Sequence, residues 1–106
     1  MASGLDDLGR FAEPALLILV ALADGPKHGY AIMTEAEVIS GSPLGPGTLY
    51  AALARLERRG LIVPLPAEER RRPYRLTGAG ATTLEEQLKR LELFARTGLT
   101  RLASQP

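Results

Sequence analysis

The chain has 106 residues, no cysteine, one histidine and a formal net charge of +1, with 45% hydrophobic and 24% charged residues. This length has room for one domain with a modest core, and the absence of cysteine excludes disulfides and thiolate-bound metals. One histidine cannot build a zinc site or a catalytic triad, and the sequence has neither a glycine-rich phosphate loop nor paired carboxylates in an apolar setting, so we expect no cofactor and no enzyme.

The sequence also lacks the pattern of a membrane or secreted protein. Its longest apolar run, residues 14–23, is about half the length that a membrane span needs. Asp6 and Asp7 lie near the N-terminus, where a secretion signal would carry basic side chains. We therefore expect a cytoplasmic protein.

Charge is distributed unevenly along the chain. Residues 55–75 hold seven arginines against three glutamates, a local charge of +4, whereas residues 1–54 hold two basic and six acidic side chains, a charge of −4. A block of arginine can concentrate positive potential on one surface of a nearly neutral protein. Charge alone leaves a nucleic-acid contact and a solvated hairpin tip equally open.

Two helices are predicted after an N-terminal lead of residues 1–12. The first begins at Pro14, since proline fits the first helical turn, and it is apolar on most faces, so it should be central to the core. The second covers about residues 28–39 and offers five side chains to the core: Tyr30, Ile32, Met33, Ala36 and Ile39.

A third helix should open at Pro46 or Gly47 and end at Gly60. Its apolar side chains recur at i, i+3, i+4 and i+7 and should face inward; they are Leu49, Ala52, Leu53 and Leu56. Small residues on the other side, near the helix N-terminus, would let it approach base edges and a phosphate. Arg55 is the best candidate for a base contact, because a guanidinium matches the acceptors of guanine.

A basic hairpin is predicted next. Residues 61–63 and 74–76 form its strands, and the connection from Pro64 to Pro73 is longer than a tight hairpin needs. Arg70, Arg71 and Arg72 lie in this connection, where they can reach a DNA groove or flanking phosphates. The predicted fold class is mainly α with a small two-stranded β-wing.

Thr77 should cap a long last helix, about residues 79–102. Its apolar positions follow coiled-coil spacing at first, and Phe94 widens the stripe; the predicted dimerisation residues are Leu84, Leu88, Leu91, Phe94, Ala95, Leu99 and Leu102. This helix can also fold back on its own core. We expect it to pack on a second subunit, because the winged unit before it looks complete.

Three segments resemble the PadR family of transcriptional regulators in its short form. They are GPKHGYAI (residues 25–32), GTLYAALARLERRGLI (47–62) and RRRPYRLTGAG (70–80), in the family's order. The resemblance implies a winged helix-turn-helix over residues 13–77 and a dimerisation helix over 78–106, in a protein that usually acts as a repressor. The chain differs from the family's pattern in its acidic N-terminal half and in a last segment without tryptophan.

The expected function is a homodimeric repressor that binds an inverted repeat of double-stranded DNA. From the residues and the resemblance together, we predict the DNA contacts to be His28, Gly47, Thr48, Tyr50, Ala51, Arg55, Arg70, Arg71, Arg72 and Arg75. Plainer interpretations remain: His28 as a structural residue, Tyr30 and Tyr50 as core aromatics, and a winged helix that binds proteins without binding DNA.

The resemblance also implies relief of repression by a small hydrophobic or phenolic effector. No polar constellation in the sequence identifies such a ligand. Phe11, Met33 and Phe94 are apolar enough to line a pocket, but we expect all three to pack in the core.

Overall fold

The computed structural model describes residues 13–106, and this part of the chain holds four helices and one antiparallel sheet. The helices are α1 (Pro14–Ala21), α2 (Gly29–Ser40), α3 (Pro46–Arg58) and α4 (Gly78–Ala103). The strands are β1 (Lys27–His28), β2 (Ile62–Pro64) and β3 (Pro73–Leu76). The mainly helical winged architecture is thus confirmed, and the N-terminal lead lies outside the described residues.

The core is entirely hydrophobic in the described part of the chain, and α1 is at its centre. Four residues of α1 are buried, and Leu22, which ends the helix, is buried as well. The core also takes the inner faces of α2 and α3, Ile62 of β2 and Leu84 of α4. Pro14 begins α1, and the ammonium group of Lys27 donates a 2.6 Å hydrogen bond to the carbonyl oxygen of Ala21 at its end.

Helix α2 presents fewer side chains to the core than the sequence suggested. Gly29, Ile32 and Ala36 are buried and share one face, and Met33 packs against the core from its edge. Tyr30 is 71% exposed, because it lies about 200° around the helix from Ile32. Ile39 lies in the last turn and is 44% exposed, so the core assignment was wrong for both.

The sheet contains one more strand than predicted. Its order is β1-β3-β2, with Lys27 opposite Tyr74 and Ile62 opposite Leu76. Strand β1 has only two residues, too few for an alternating pattern to be visible in the sequence. Strand β1 directly precedes α2 and pairs with β3 of the wing. Strand β3 is therefore hydrogen-bonded to a neighbouring strand on each side.

The connection between β2 and β3 covers residues 65–72, longer than a tight hairpin needs, as the sequence predicted, and its tip is a tight turn that the sequence did not predict. The backbones of Glu68 and Arg71 exchange two hydrogen bonds of 2.6 and 2.7 Å. The two residues between them, Glu69 and Arg70, have φ angles of 47° and 70°. Positive φ at both positions is typical of two-residue hairpin turns, which usually contain glycine or asparagine. Neither residue occurs here, so the turn carried no sequence signal.

Helix α4 is the longest element, and its 26 residues correspond to about 39 Å. Thr77 caps it as predicted, since its hydroxyl oxygen accepts a 3.0 Å hydrogen bond from the amide of Gly80. Within residues 13–106, the buried residues of α4 are Gly80 and Leu84, and both lie in its first two turns. Within residues 13–106, no helix has the length and apolar character needed to cross a bilayer.

Candidate nucleic-acid interface

Helix α3 divides into a buried face and an exposed face. Leu49, Ala52, Leu53 and Leu56 are at most 3% exposed. On the other side, the predicted contact residues all reach solvent; they are Gly47, Thr48, Tyr50, Ala51 and Arg55. The helix therefore presents a surface of small side chains in its first turns and an arginine about one turn further on.

The N-terminus of α3 is held in place by its neighbours, and among the described residues no side chain caps its backbone amides. Leu44 is buried just before it, and its amide donates a 3.3 Å hydrogen bond to the carboxylate of Glu37 on α2. Gly45, the N-cap residue, supplies no side-chain cap. The amides of the first turn thus remain available, and such a helix end is suited to an anionic oxygen.

The wing presents its arginines to solvent. Arg70, Arg71, Arg72 and Arg75 are all exposed. Arg75 alternates with Tyr74 and Leu76, which pack against the core from the other face of β3. The strand therefore holds Arg75 on the face of β3 that points away from the core.

His28 is connected to the wing rather than isolated on α2. It is half-buried in β1, opposite Pro73 of β3. A guanidinium nitrogen of Arg71 lies 3.2 Å from Nε2 of His28, and since arginine can only donate, Nε2 accepts in this contact. The sequence had named both residues without indicating that they touch, because they are 43 positions apart.

The described part of the chain supplies no carboxylate partner to the basic surface. Across residues 13–106, none of the seven arginines between Arg55 and Arg75 forms an ion pair with a carboxylate. Lys27 is different, because its ammonium group pairs with Asp24 and lies 3.7 Å from Glu35. The contact with Lys27 holds the pKa of the Asp24 carboxyl below its ordinary value. Lys27 is thus paired within the fold, whereas these arginines have no carboxylate partner within residues 13–106.

The ionisation of Tyr74 on β3 reflects its burial and the charges around it. Burial raises the pKa of the Tyr74 phenol on β3, and the negative charge of Glu57 on α3 adds to this effect. Arg72 acts in the opposite sense, and Tyr50 contributes a small increase. Tyr74 also packs against the core from β3, and sequence reasoning did not assign it to the site.

The predicted dimerisation stripe on α4 is largely uncovered. Leu84 is 4% exposed and belongs to the core of its own chain, so we remove it from the stripe. The other six positions are half-buried or exposed; they are Leu88, Leu91, Phe94, Ala95, Leu99 and Leu102. Of the nine large hydrophobic side chains exposed in residues 13–106, five lie on α4.

A groove of about 450 Å³ lies where α4 meets the winged unit. Ala23, Leu76, Leu84 and Leu88 form its apolar wall, and charged side chains of α4 form its rim. Of the three side chains expected in the core, Met33 packs there, Phe94 is 79% exposed and Phe11 lies outside the described residues. The core expectation was thus wrong for Phe94. No cluster of three or more His, Asp or Glu side chains suited to a metal ion occurs in residues 13–106.

A helix with a small-residue face, a basic wing and a long apolar helix are thus combined in one chain. The sequence profile of the transcriptional regulator PadR-like family matches residues 18–86. The chain belongs to the PadR-like family. Proteins of this family are transcriptional regulators and not enzymes, and the match covers both α3 and the wing.

Similar proteins agree with this assignment. The transcriptional regulator Rv3488 of Mycobacterium tuberculosis is 42% identical over 91 residues, which cover 80% of this chain and 81% of that protein. An uncharacterised 37.1 kDa protein of the Streptomyces fradiae transposon Tn4556 is 53% identical over 78 residues. Those residues cover 74% of this chain but only 23% of the transposon protein.

The fold also matches a solved member of the family. The crystal structure of Bacillus subtilis PadR in complex with operator DNA superimposes with a TM-score of 0.62 at 24% identity. The match covers 70% of this chain and 45% of that one. At this identity the similarity establishes the winged-helix fold of the PadR-like chain.

Proposed function

We propose that this PadR-like chain is a homodimeric, sequence-specific repressor that binds double-stranded DNA. The observation that carries the proposal is the division of α3, whose leucines are buried while the face from Gly47 to Arg55 is exposed. A helix docked in the major groove needs such a face, with side chains small enough for close approach and a donor that can read base edges.

The wing would supply affinity rather than base preference. Arg70, Arg71 and Arg72 sit at or beside a tight turn, exposed and without carboxylate partners in the described part of the chain. Phosphate contacts of this kind release counterions, so the affinity falls as salt rises. That the PadR of Bacillus subtilis was solved with operator DNA supports the same use of this fold.

Dimerisation would place two copies of α3 on one face of the duplex. We assign the exposed apolar stripe of α4, from Leu88 to Leu102, as the surface that packs on the partner subunit. Two recognition helices related by a two-fold axis fit an inverted repeat whose half-sites lie about 34 Å apart, one turn of the double helix. Such a repressor would work in the cytoplasm, in contact with chromosomal DNA.

An effector would act most directly at the junction of α4 and the winged unit. The groove bounded by Ala23, Leu76 and Leu88 is apolar and touches both parts. A small hydrophobic or phenolic compound bound there would change the angle of α4 and hence the distance between the two α3 helices. A thermal-shift screen of such compounds tests this; no stabilising compound would favour control by protein level or by a partner.

The test of DNA binding is a fluorescence-anisotropy titration with the DNA upstream of the protein's own gene, together with fragments selected from the genome. We expect saturable binding at moderate salt, competed far better by the selected site than by a scrambled duplex. A protein-binding winged helix, in which the arginines meet an acidic partner, would show no such preference. Equal competition by every duplex would therefore contradict the proposal.

A further inference from the structure

Gly29, the first residue of α2, lies against the end of the Tyr50 side chain. Gly29 is buried, and a β-carbon at this position would lie 2.8 Å from the Tyr50 hydroxyl oxygen. The same β-carbon would lie 3.2 Å from Cζ and 3.3 Å from Cε1 of the ring. The first distance is shorter than any van der Waals contact, so no larger residue fits at position 29 while Tyr50 keeps its place.

The backbone does not explain why glycine is present. Gly29 is part of a helix and is not among the glycines with positive φ, which are Gly25, Gly41 and Gly60. Alanine is favoured over glycine by up to about 1 kcal/mol in a helix. The Tyr50 ring is therefore the feature of the structure that requires glycine here.

Tyr50 occupies a central place in the proposed interface. In the sequence of α3 it lies between the buried Leu49 and the exposed Ala51, and its side chain reaches the start of α2. Strand β1 ends at His28, directly before Gly29, and pairs with β3 of the wing. One side chain thus contacts the point where α2 and the wing are joined.

We propose that Gly29 is a positioning residue for DNA recognition. Because Gly29 has no side chain, the Tyr50 side chain fits against it and holds α3 against the start of α2. This inference rests on the proposed function, because its consequence is the orientation of α3 in the groove. It also gives Tyr50 a role distinct from the direct DNA contact predicted from the sequence, because its hydroxyl faces Gly29.

The physical consequence of filling this space is local. The atom in the way is the end of a side chain that is 55% exposed, so it can rotate away without moving the backbone. Alanine at position 29 should therefore leave the fold intact and displace Tyr50. Loss of the contact would change how α3 is presented to DNA, although no residue of the proposed DNA-reading face of α3 had been replaced.

The experiment compares wild type, Gly29→Ala, Tyr50→Phe and the double variant in DNA affinity and in thermal midpoint. Phenylalanine removes the hydroxyl oxygen and leaves only the ring-carbon contacts of 3.2 and 3.3 Å, which small shifts relieve. We expect Gly29→Ala to fold and to bind about tenfold more weakly, and Tyr50→Phe alone to bind about threefold more weakly because its hydroxyl is lost. In the double variant, we expect affinity to return to that of Tyr50→Phe. Gly78→Ala, where no atom lies within 4 Å, is the matched control and should bind as wild type.

Any other result of this experiment overturns the proposal. Unchanged DNA binding by Gly29→Ala would do so. A loss of affinity in Gly29→Ala that the additional Tyr50→Phe replacement does not reverse would do so as well. An equally large loss in Tyr50→Phe alone would mean that the hydroxyl contacts DNA directly. Unfolding of Gly29→Ala would show a role in folding instead. In folded wild type, missing nuclear Overhauser effects between the Tyr50 ring and the Gly29 α-protons would remove the contact itself. A wild-type protein that binds no duplex would overturn the proposed function first, which the titration of wild type alone reveals.

Discussion

The hydroxyl of Thr77 donates a 2.6 Å hydrogen bond to the carbonyl oxygen of Gly60. The backbone amide of Thr77 donates a second bond, of 3.1 Å, to the carbonyl oxygen of Leu61. The start of α4 is therefore tied directly to the residues that follow α3. In the proposed dimer, this junction would fix the angle between α4 and α3 and would thereby set the distance between the two copies of α3.

Replacing Thr77 by valine should weaken this junction. Valine keeps the shape but removes the bond to Gly60 and the cap on the amide of Gly80, so we expect a loss of about 1–2 kcal/mol in the free energy of unfolding. Urea denaturation measures it. Thr82→Val, at an exposed threonine of the same helix, is the matched control and should change stability by less than about 0.5 kcal/mol. Equal effects of the two replacements would contradict the role given to the Thr77 hydroxyl.

Gly80→Ala should be more damaging than its neighbour Gly78→Ala. A β-carbon at Gly80 would lie 1.9 Å from the carbonyl oxygen of Leu61, and because that atom belongs to the backbone it cannot rotate away. We expect a destabilisation of about 1–3 kcal/mol or more from this overpacking. At Gly78, where no atom lies within 4 Å, alanine should be tolerated. Thermal melts of both variants check this, and similar melting temperatures would show that α4 can shift.

Arg55 and the wing arginines should differ in their effect on DNA binding. Arg55→Ala should lose about 1–3 kcal/mol of discrimination between the selected duplex and a scrambled one. Replacing Arg70, Arg71 and Arg72 together should weaken both duplexes alike and flatten the dependence of log affinity on log salt by about 0.9 per lost phosphate contact. Arg101→Ala, near the far end of α4, controls for lost charge. A triple variant with an unchanged salt slope would remove the wing from the interface.

A carboxylate in the α4 stripe should separate the subunits. Leu99 is 68% exposed in the single chain, and we expect Leu99→Glu to abolish the dimer because its charge would be buried against the partner's stripe. Thr97→Glu places the same charge about 200° around the helix and should leave the dimer intact. Light scattering behind a sizing column gives the masses. Loss of the dimer in both variants would point to unfolding, and its survival in both would exclude the stripe.

Stability should fall in alkaline solution partly because of Tyr74. Its folded pKa is raised above the ordinary value of 10.0, first by burial and then by Glu57, so the folded chain holds this proton more tightly than the unfolded chain does. The associated stability is present below pH 10.0 and is lost as the pH rises through the folded pKa. In Tyr74→Phe, the free energy of unfolding should decline less between neutral and strongly alkaline pH. Superimposable pH profiles of the two proteins would contradict this.

The sequence predicted α3 closely because two local signals agree there. The Gly45-Pro46 turn sets the start of the helix, and the spacing of its leucines separates the buried face from the exposed one. The same period located α4 within one residue at each end, and Thr77 proved to be its cap.

The remaining errors come from interactions that no local pattern encodes. The turn at Glu69 and Arg70 contains neither glycine nor asparagine, and β1 is too short to alternate. Tyr30 is apolar enough for a core, yet it lies on the wrong side of α2. The contact of Gly29 with Tyr50 joins two motifs that were recognised separately, and only the packing of α2 on α3 brings them together.

The most direct measurement is the mass of the complex between the protein and its selected DNA site, by native mass spectrometry. We expect one duplex carrying two chains, on a site whose two halves are inverted repeats about one helical turn apart. A complex with a single chain, or no complex on any duplex recovered from the genome, would contradict a dimeric DNA-binding repressor.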